Sequence, residues 1–329
     1  MVEAERAMLD AAMMGDVAAV QGLLEDRPDL AVAEACDRCA GGPYTALFLA
    51  AEAGHAEVVR LLTEHGADPN SDNTPQHWTP LLIALAYGHD RVACYLLAHG
   101  ARRDIFAAAA LGDQAAVEAL AATDPGLVRA KGPDGAEPLH FARTVALAQW
   151  LLDHGADPRA RDEIHENTPA RWAAADSRRQ DVARLLAKFD AETDIFLACA
   201  LGETERVRDF LEVFPALANS RGRPRDLLGS GTPLHVAAER GQADVAELLL
   251  SYGADPNARS AYGHFPLHSA AMRGQIAVVE CLLAYGARPD VRDRGQQATP
   301  SAWARRFGHQ AIAVLLERQE RLLDGEPGT

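Results

Sequence analysis

Aromatic side chains make up only 6% of this chain, and there are only five cysteines, an odd number scattered along 329 residues. The first shortage argues against one thick core built on large rings. With alanine abundant, it suits thin helices packed closely together. The second excludes a disulfide framework and points to a reducing, cytoplasmic compartment. Long apolar runs are missing too. The longest, Leu81 to Tyr87 and Ile105 to Leu111, fall far short of the ~20 residues a membrane-spanning helix needs. The opening Met1-Val-Glu-Ala-Glu-Arg6 has neither the basic start nor the apolar centre of a secretory leader. Positive charge is in deficit: 32 Lys and Arg against 47 Asp and Glu leave −15. Such a surface repels phosphate on average, so nucleic acid is not expected as a partner, and no feature suggests a membrane.

Recognised catalytic signatures are also absent. The chain has no phosphate-cradling G-x-x-x-x-G-K-[ST] loop, no G-x-S-x-G elbow and no H-E-x-x-H helix, and each of those chemistries needs its residues at that spacing. His165-Glu166 runs into Asn-Thr-Pro rather than a second histidine. Cys36-Asp-Arg-Cys39 offers two thiolates at metal spacing, but a structural zinc takes four ligands and no second pair follows. Neither a metal nor a cofactor is expected.

What the chain has is repetition. Thr232-Pro-Leu-His-Val-Ala-Ala-Glu-Arg-Gly241 recurs as Phe265-Pro-Leu-His-Ser-Ala-Ala-Met-Arg-Gly274, and in weaker form from Thr45, Thr79, Thr168 and Thr299. A second phrase follows about twenty residues on, as in Leu61-Leu-Thr-Glu-His-Gly-Ala-Asp-Pro-Asn70 and Leu249-Leu-Ser-Tyr-Gly-Ala-Asp-Pro-Asn257. Glycines 54 and 88, then 241, 274 and 308, lie 34, 33 and 34 residues apart. Period and phrase resemble the ankyrin-repeat family, in particular bacterial members that mix Asp-Ile-Phe units with ordinary ones. The resemblance implies an all-α solenoid of ten helix-turn-helix repeats, starting near 5, 44, 78, 104, 136, 167, 194, 231, 264 and 298, joined by β-hairpin fingers. The mechanics agree: Thr can cap the first helix, Pro fits its first turn, and glycine allows a left-handed exit.

Three repeats depart from the phrase in the same way. Asp104-Ile-Phe and Asp194-Ile-Phe lie 90 residues apart, and Met8-Leu-Asp-Ala-Ala-Met-Met-Gly-Asp16 is their counterpart at the start. This divides the chain into blocks 1–103, 104–193 and 194–323, with repeats 1–3, 4–6 and 7–10, and a frayed tail 324–329. The linkers before Asp104 and Asp194 are too short for a finger, so gaps in the finger row and a segmented concave face are expected. The first and last repeats should be modified to face water.

Nine of the twelve histidines fall at fixed repeat positions. His140, His235 and His268 belong to the Thr-Pro-Leu-His phrase and are expected to link fingers. His55, His89 and His309 follow the glycine that ends a first helix. His65, His99 and His154 precede the glycine after a second helix, where a partly cationic ring suits the helix terminus. His77, His165 and His264 remain, all at fingertips. The family resemblance places fingertips and first-helix ends on the partner-binding side. Candidate binding residues there are Tyr44, His77, Trp78, Tyr87, Asp162, His165, Glu166, Arg240, His264, Arg273 and Phe307. Trp150, Trp172 and Trp303 are expected in the core, as are Cys94, Cys199 and Cys281. Arg221, Arg223 and Arg225, in an insertion before the eighth repeat, form a local reversal of charge that suits a carboxylate or phosphate.

Two functions follow. One is a non-catalytic scaffold offering fingers and first helices to a protein partner. The other is a small-molecule-binding protein or enzyme that uses the fingertip His, Trp, Glu and Arg residues, for which a dried pocket would be needed. A monomer is expected. On either reading, replacing Trp78 and His165 should affect binding far more than stability.

Overall fold

Each repeat opens on a cap. In the computed structural model, which describes residues 2–36, 43–72, 76–189, 194–223, 226–229 and 231–323, the hydroxyls of Thr45, Thr79 and Thr299 accept the N–H groups of Phe48, Leu82 and Ala302 at 3.1, 3.2 and 3.3 Å. Asp takes this role in the Asp-Ile-Phe repeats: Asp104 accepts from Ala107 at 2.8 Å and Asp194 from Leu197 at 3.1 Å. Each cap satisfies a donor that the first helical turn leaves unpaired. The helices then end on left-handed glycine. Gly54 has φ 78°, and a Cβ there would lie 2.5 Å from the His89 ring, so backbone and neighbour both demand glycine.

The described residues form ten antiparallel helix pairs, grouped in two compact halves, Met1–Ile164 and His165–Thr329. The first half stacks Val2–Met14 with Val17–Asp26, Ala46–Ala53 with Ala56–Glu64, Pro80–Tyr87 with Asp90–Ala98, Ile105–Leu111 with Gln114–Thr123, and Pro138–Phe141 with Val145–Asp153. The second stacks Pro169–Ala175 with Gln180–Ala187, Ile195–Leu201 with Thr204–Val213, Pro233–Arg240 with Ala243–Ser251, Pro266–Arg273 with Ile276–Ala284, and Pro300–Arg306 with Gln310–Leu323. This is the all-α repeat stack that the sequence period implies. The halves follow compactness, whereas the three blocks follow sequence similarity.

The fingers differ from expectation. Among the described residues only one is a β-hairpin, where Glu34–Cys36 pairs antiparallel with Pro43–Thr45. The others are turns, closed by single bonds such as Gly132 N–H to Ala136 O at 2.9 Å and Ser260 N–H to His264 O at 2.8 Å. They are too short and too rich in Gly, Pro and Asp to sustain a ladder.

Small residues let the first helices approach. Ala50 and Ala51, Ala173 and Ala174, and Ala270 and Ala271 have no exposure at all. Leucines such as Leu62, Leu96, Leu186 and Leu249 fill the spaces between pairs, each stabilising the stack by about 1.5–3 kcal/mol relative to exposure. Cys199 is buried, and burial pushes its thiol far up. Cys94 and Cys281 correct the expectation, being exposed and half-buried. On their helices the core positions go to Val92 and Ala93, and to Val278 and Val279. Trp303 is buried, but Trp150 and Trp172 are only half-buried. Trp150 stacks instead on His154, ring centroids 3.8 Å apart. At the far end Glu317 pairs with Arg305 at 2.5 Å and Glu320 accepts from Ser301 at 2.8 Å. The tail 324–329 lies outside the described residues.

Candidate binding face

Histidine ties neighbouring repeats together in two registers. In the first, Nδ1 of His235 accepts the Thr232 N–H at 3.1 Å, so Nε2 carries the proton and donates to His264 O at 3.1 Å. His268 repeats this between Phe265 N–H and Ala298 O, at 3.4 and 3.1 Å. Burial lowers both rings to about 4, so they stay neutral and keep this tautomer. In the second register His55, His89 and His309 donate back to Met13 O, Glu52 O and Met272 O at 3.1, 2.8 and 3.1 Å. His65, His99 and His154 donate to the carbonyl four residues earlier, each at 2.8 Å. The nine repeat-position histidines are structural.

At the Asp-Ile-Phe repeats the finger row closes rather than breaks. In the first half the fifth finger reaches past the fingerless fourth repeat. Asp134 N–H donates to Gln76 O at 3.1 Å, and the Trp78 indole N–H donates to the Asp134 carboxylate at 3.1 Å. In the second half Arg171, in the sixth repeat, passes the seventh. It donates to Asn167 at 3.1 Å, to the cap Asp194 at 3.0 Å and to the Asp226 carboxylate of the eighth finger. Asp134 and Asp226 are both buried. Within each half one side chain therefore joins the fingers on either side of the Asp-Ile-Phe repeat.

Trp78 is accordingly not an exposed anchor. It is half-buried, with its ring edge-on to Phe141 at 6.0 Å. The expectation that its removal would spare stability is corrected on those contacts.

The finger carboxylates went unnoticed in the sequence, although a signal was present. Asp162, Asp226 and Asp293 each stand six residues before Thr168, Thr232 and Thr299, and are 2%, 9% and 1% exposed. Each organises its turn: Asp162 accepts Ile164 N–H at 3.1 Å, Asp226 accepts Leu228 N–H at 2.9 Å, and Asp293 accepts Gln296 N–H at 2.6 Å. Asp293 also takes the Trp303 indole N–H at 2.8 Å. Burial alone would raise this carboxyl, but the indole and three backbone N–H groups outweigh it and hold it down to about 2.

Backbone strain marks a second fixed position, two residues before the cap. Gly135 and Gly263 are left-handed there without penalty, whereas His77, Glu166 and Gln297 hold φ of 62°, 54° and 53°. Such conformations cost a non-glycine residue roughly 1–2 kcal/mol.

The other candidates are spread along each half. In the first, Tyr44 stacks on Phe48 at 5.5 Å, and His77 is 72% exposed with Nδ1 3.2 Å from Asp72. Tyr87 is 61% exposed beside His89. In the second, His165 lies edge-on to Trp172 at 6.3 Å, and Glu166 is exposed. His264 meets Trp303 at 5.9 Å and His268 at 6.0 Å. Arg240 donates to Ala175 O at 2.8 Å, Arg273 to Glu239 at 2.7 Å, and Phe307, half exposed, stacks on Trp303 at 5.8 Å. His264 and Phe307 share a neighbour in Trp303, and Arg240 and Arg273 share Glu239. Among the described residues no group of three His, Cys, Asp or Glu is placed to hold a metal. Cys39 and Arg225 lie outside the described residues, and with them the zinc reading of Cys36-x-x-Cys39 and one arginine of the inserted loop.

Comparison with known proteins agrees with this geometry. The family described as "Ankyrin repeats (3 copies)" matches residues 7–107, 188–260 and 234–323, and "Ankyrin repeat" matches 134–163. Human ankyrin repeat and SOCS box protein 16 is 32% identical over 56% of this chain and 45% of its own length. Zebrafish (Danio rerio) ankyrin repeat and SAM domain-containing protein 6 is 32% identical over 48% and 22%, and rice E3 ubiquitin-protein ligase XB3 is 34% identical over 50% and 41%. The chain thus spans less than half the length of these relatives, all of them eukaryotic. No helix among the described residues is long and apolar enough to cross a membrane.

Proposed function

The chain belongs to the ankyrin-repeat family, and on that footing we propose that it is a binding scaffold without chemistry of its own, presenting fingers and first-helix ends to a protein partner. One observation carries the reading. The polar groups buried in the fingers, Asp134, Asp226 and Asp293, are spent on holding the stack, while large side chains at the first-helix ends stand in solvent. Tyr87 is 61% exposed, the Arg273 side chain 59% and Phe307 50%. Aromatic and arginine residues exposed in this way are the types that dominate binding energy at protein interfaces. Relatives that combine such repeats with a separate SOCS box or SAM domain are consistent with a binding role for the repeats themselves. We place the scaffold in the cytoplasm as a monomer, built of three related blocks at 1–103, 104–193 and 194–323.

The test sets a protein partner against a small ligand. Proteins captured from native lysate by the purified chain are compared with those captured by Tyr87→Ala and Phe307→Ala, beside thermal-shift screening against metabolites. The scaffold reading expects a specific protein whose recovery drops about tenfold or more with one of these variants at unchanged melting temperature. A metabolite that raises the melting point by several degrees, with no protein retained, would instead support the small-ligand alternative.

A further inference from the structure

The second half carries a row of arginines that form no ion pair among the described residues. Three consecutive fingers, described over residues 221–223 with 226–229, 258–264 and 291–298, hold Arg221, Arg223, Arg259, Arg292 and Arg294, all exposed. Their only described carboxylates, Asp226 and Asp293, are buried and committed to Arg171 and Trp303. At the bases of the fingers Asp255 caps the Asn257 N–H at 2.8 Å, and Asp290 is paired with Arg288 at 2.6 Å. Glu320, which lies within the field of Arg292, accepts from Ser301.

Three of these arginines are held by neutral groups. Arg221 donates to Arg259 O at 2.6 Å, Arg292 donates to Gln297 O at 2.7 Å, and the Arg259 guanidinium sits 4.8 Å over the Phe265 ring. A guanidinium stacked or tethered in this way keeps N–H donors free while losing less entropy on binding. The fingers are also in register. The Arg221 bond links the first to the second, and Gly263 lies so close to Arg294 that a Cβ would fall 2.4 Å from that side chain. Tyr262, 72% exposed, stands at the tip of the middle finger among them.

We propose that this row is a docking site for an acidic peptide segment, rich in Asp and Glu with an apolar side chain for Tyr262, on a protein partner. The proposal rests on the scaffold reading and adds the chemistry of the partner. Charge complementarity carries it: arginine forks match carboxylates two bonds at a time, and here they form no ion pair among the described residues. A long polyanion such as nucleic acid is disfavoured. The first half holds 12 basic and 25 acidic residues, the second 20 and 22, giving −13 and −2. The near-neutral half thus offers a short basic row on a chain that is acidic elsewhere.

The experiment uses the full chain and a fluorescein-labelled peptide of Asp, Glu and Gly bearing one Leu. Its Lys-for-acid counterpart and a single-stranded oligonucleotide serve as comparison probes, read by anisotropy at low and high salt. The acidic peptide should bind best, and binding should weaken with salt because exposed charges are screened within ~10 Å at 0.1 M. Arg223→Glu with Arg294→Glu should weaken it roughly tenfold or more. These side chains have no partner among the described residues, so folding, checked by circular dichroism, should be intact. Arg102→Glu, an exposed reversal in the first half, should change binding less than twofold or so. Equal binding of acidic and basic peptides, indifference to the double reversal, or tighter binding of the oligonucleotide would each overturn the proposal. If a captured protein partner is unaffected by the double reversal but lost with Phe307→Ala, this inference fails and the scaffold reading stands.

Discussion

Both halves face the same mechanical problem and solve it with different chemistry. Each contains an Asp-Ile-Phe repeat, and each must join the fingers on either side of it. The first half uses a neutral donor, the Trp78 indole on Asp134. The second uses a cation, Arg171, shared between Asp194 and Asp226. The difference teaches what the fold demands at this place: a side-chain donor, neutral or cationic, aimed at a buried finger carboxylate. The neutral solution also buries apolar area. The charged one must overcome desolvation, and it becomes a liability once one partner is removed.

The largest expected effect breaks the charged bridge. Arg171→Ala leaves Asp226 buried without its cation and should cost about 3–5 kcal/mol, seen as an earlier thermal transition. Replacing Arg171 and Asp226 together with Met and Leu should recover most of that loss. If the single variant melts normally, the bridge is not what joins these fingers.

Next comes packing within one half. Leu249→Ala should cost about 2–5 kcal/mol through the cavity it leaves. Hydrogen exchange should quicken in the eighth and ninth repeats and stay slow in the first half, as nearest-neighbour stacking requires. Uniform loss of protection along the chain would contradict that independence.

Trp78→Phe gives the neutral counterpart. It keeps most of the ring and removes the bond to Asp134, which should cost about 1–3 kcal/mol, less than Arg171→Ala. An equal or larger loss would reverse the ranking of the two bridges.

Acid should act on the second half through its histidines. His235 and His268 have folded values of about 4 against 6.5 for the free ring. The unfolded chain therefore takes up protons first, and stability should fall as pH drops from about 6.5 towards 4. Asp293, at about 2 against 3.8, adds a further loss only below 3.8. Denaturant titrations across this range should show the slope, and Gln at 235 and 268 should flatten it. The smallest effect is at the strained fingertip: Gln297→Gly relieves a left-handed residue but adds unfolded-state entropy. A net stabilisation of ~1 kcal/mol or less is expected.

The repeat stack was legible because its signals are local. Thr-Pro caps, left-handed glycines and paired alanines each act within one turn, so their spacing alone yields ten helix pairs. The finger-linking role of His235 and His268 was legible for the same reason. The bridges were not. Trp78 and Asp134 are 56 residues apart and Arg171 and Asp226 are 55, and no local rule says that a finger will reach past a whole repeat. Trp78 therefore read as an exposed anchor when it is a structural donor. Asp162, Asp226 and Asp293 could have been found from their fixed distance to the capping Thr, but only if the fingers had been aligned as closely as the helices. The hairpins were overdrawn because the period says where a finger lies, not whether its turn is long enough to pair.

The central claim is that binding takes place on the fingers and first-helix ends. The most direct measurement is hydrogen exchange of the full chain with and without its captured partner. Protection should rise in residues 258–264 and 291–298 and at the ends of Pro266–Arg273 and Pro300–Arg306, with Ala243–Ser251 and Ile276–Ala284 unchanged. Protection confined to those second helices would contradict the account.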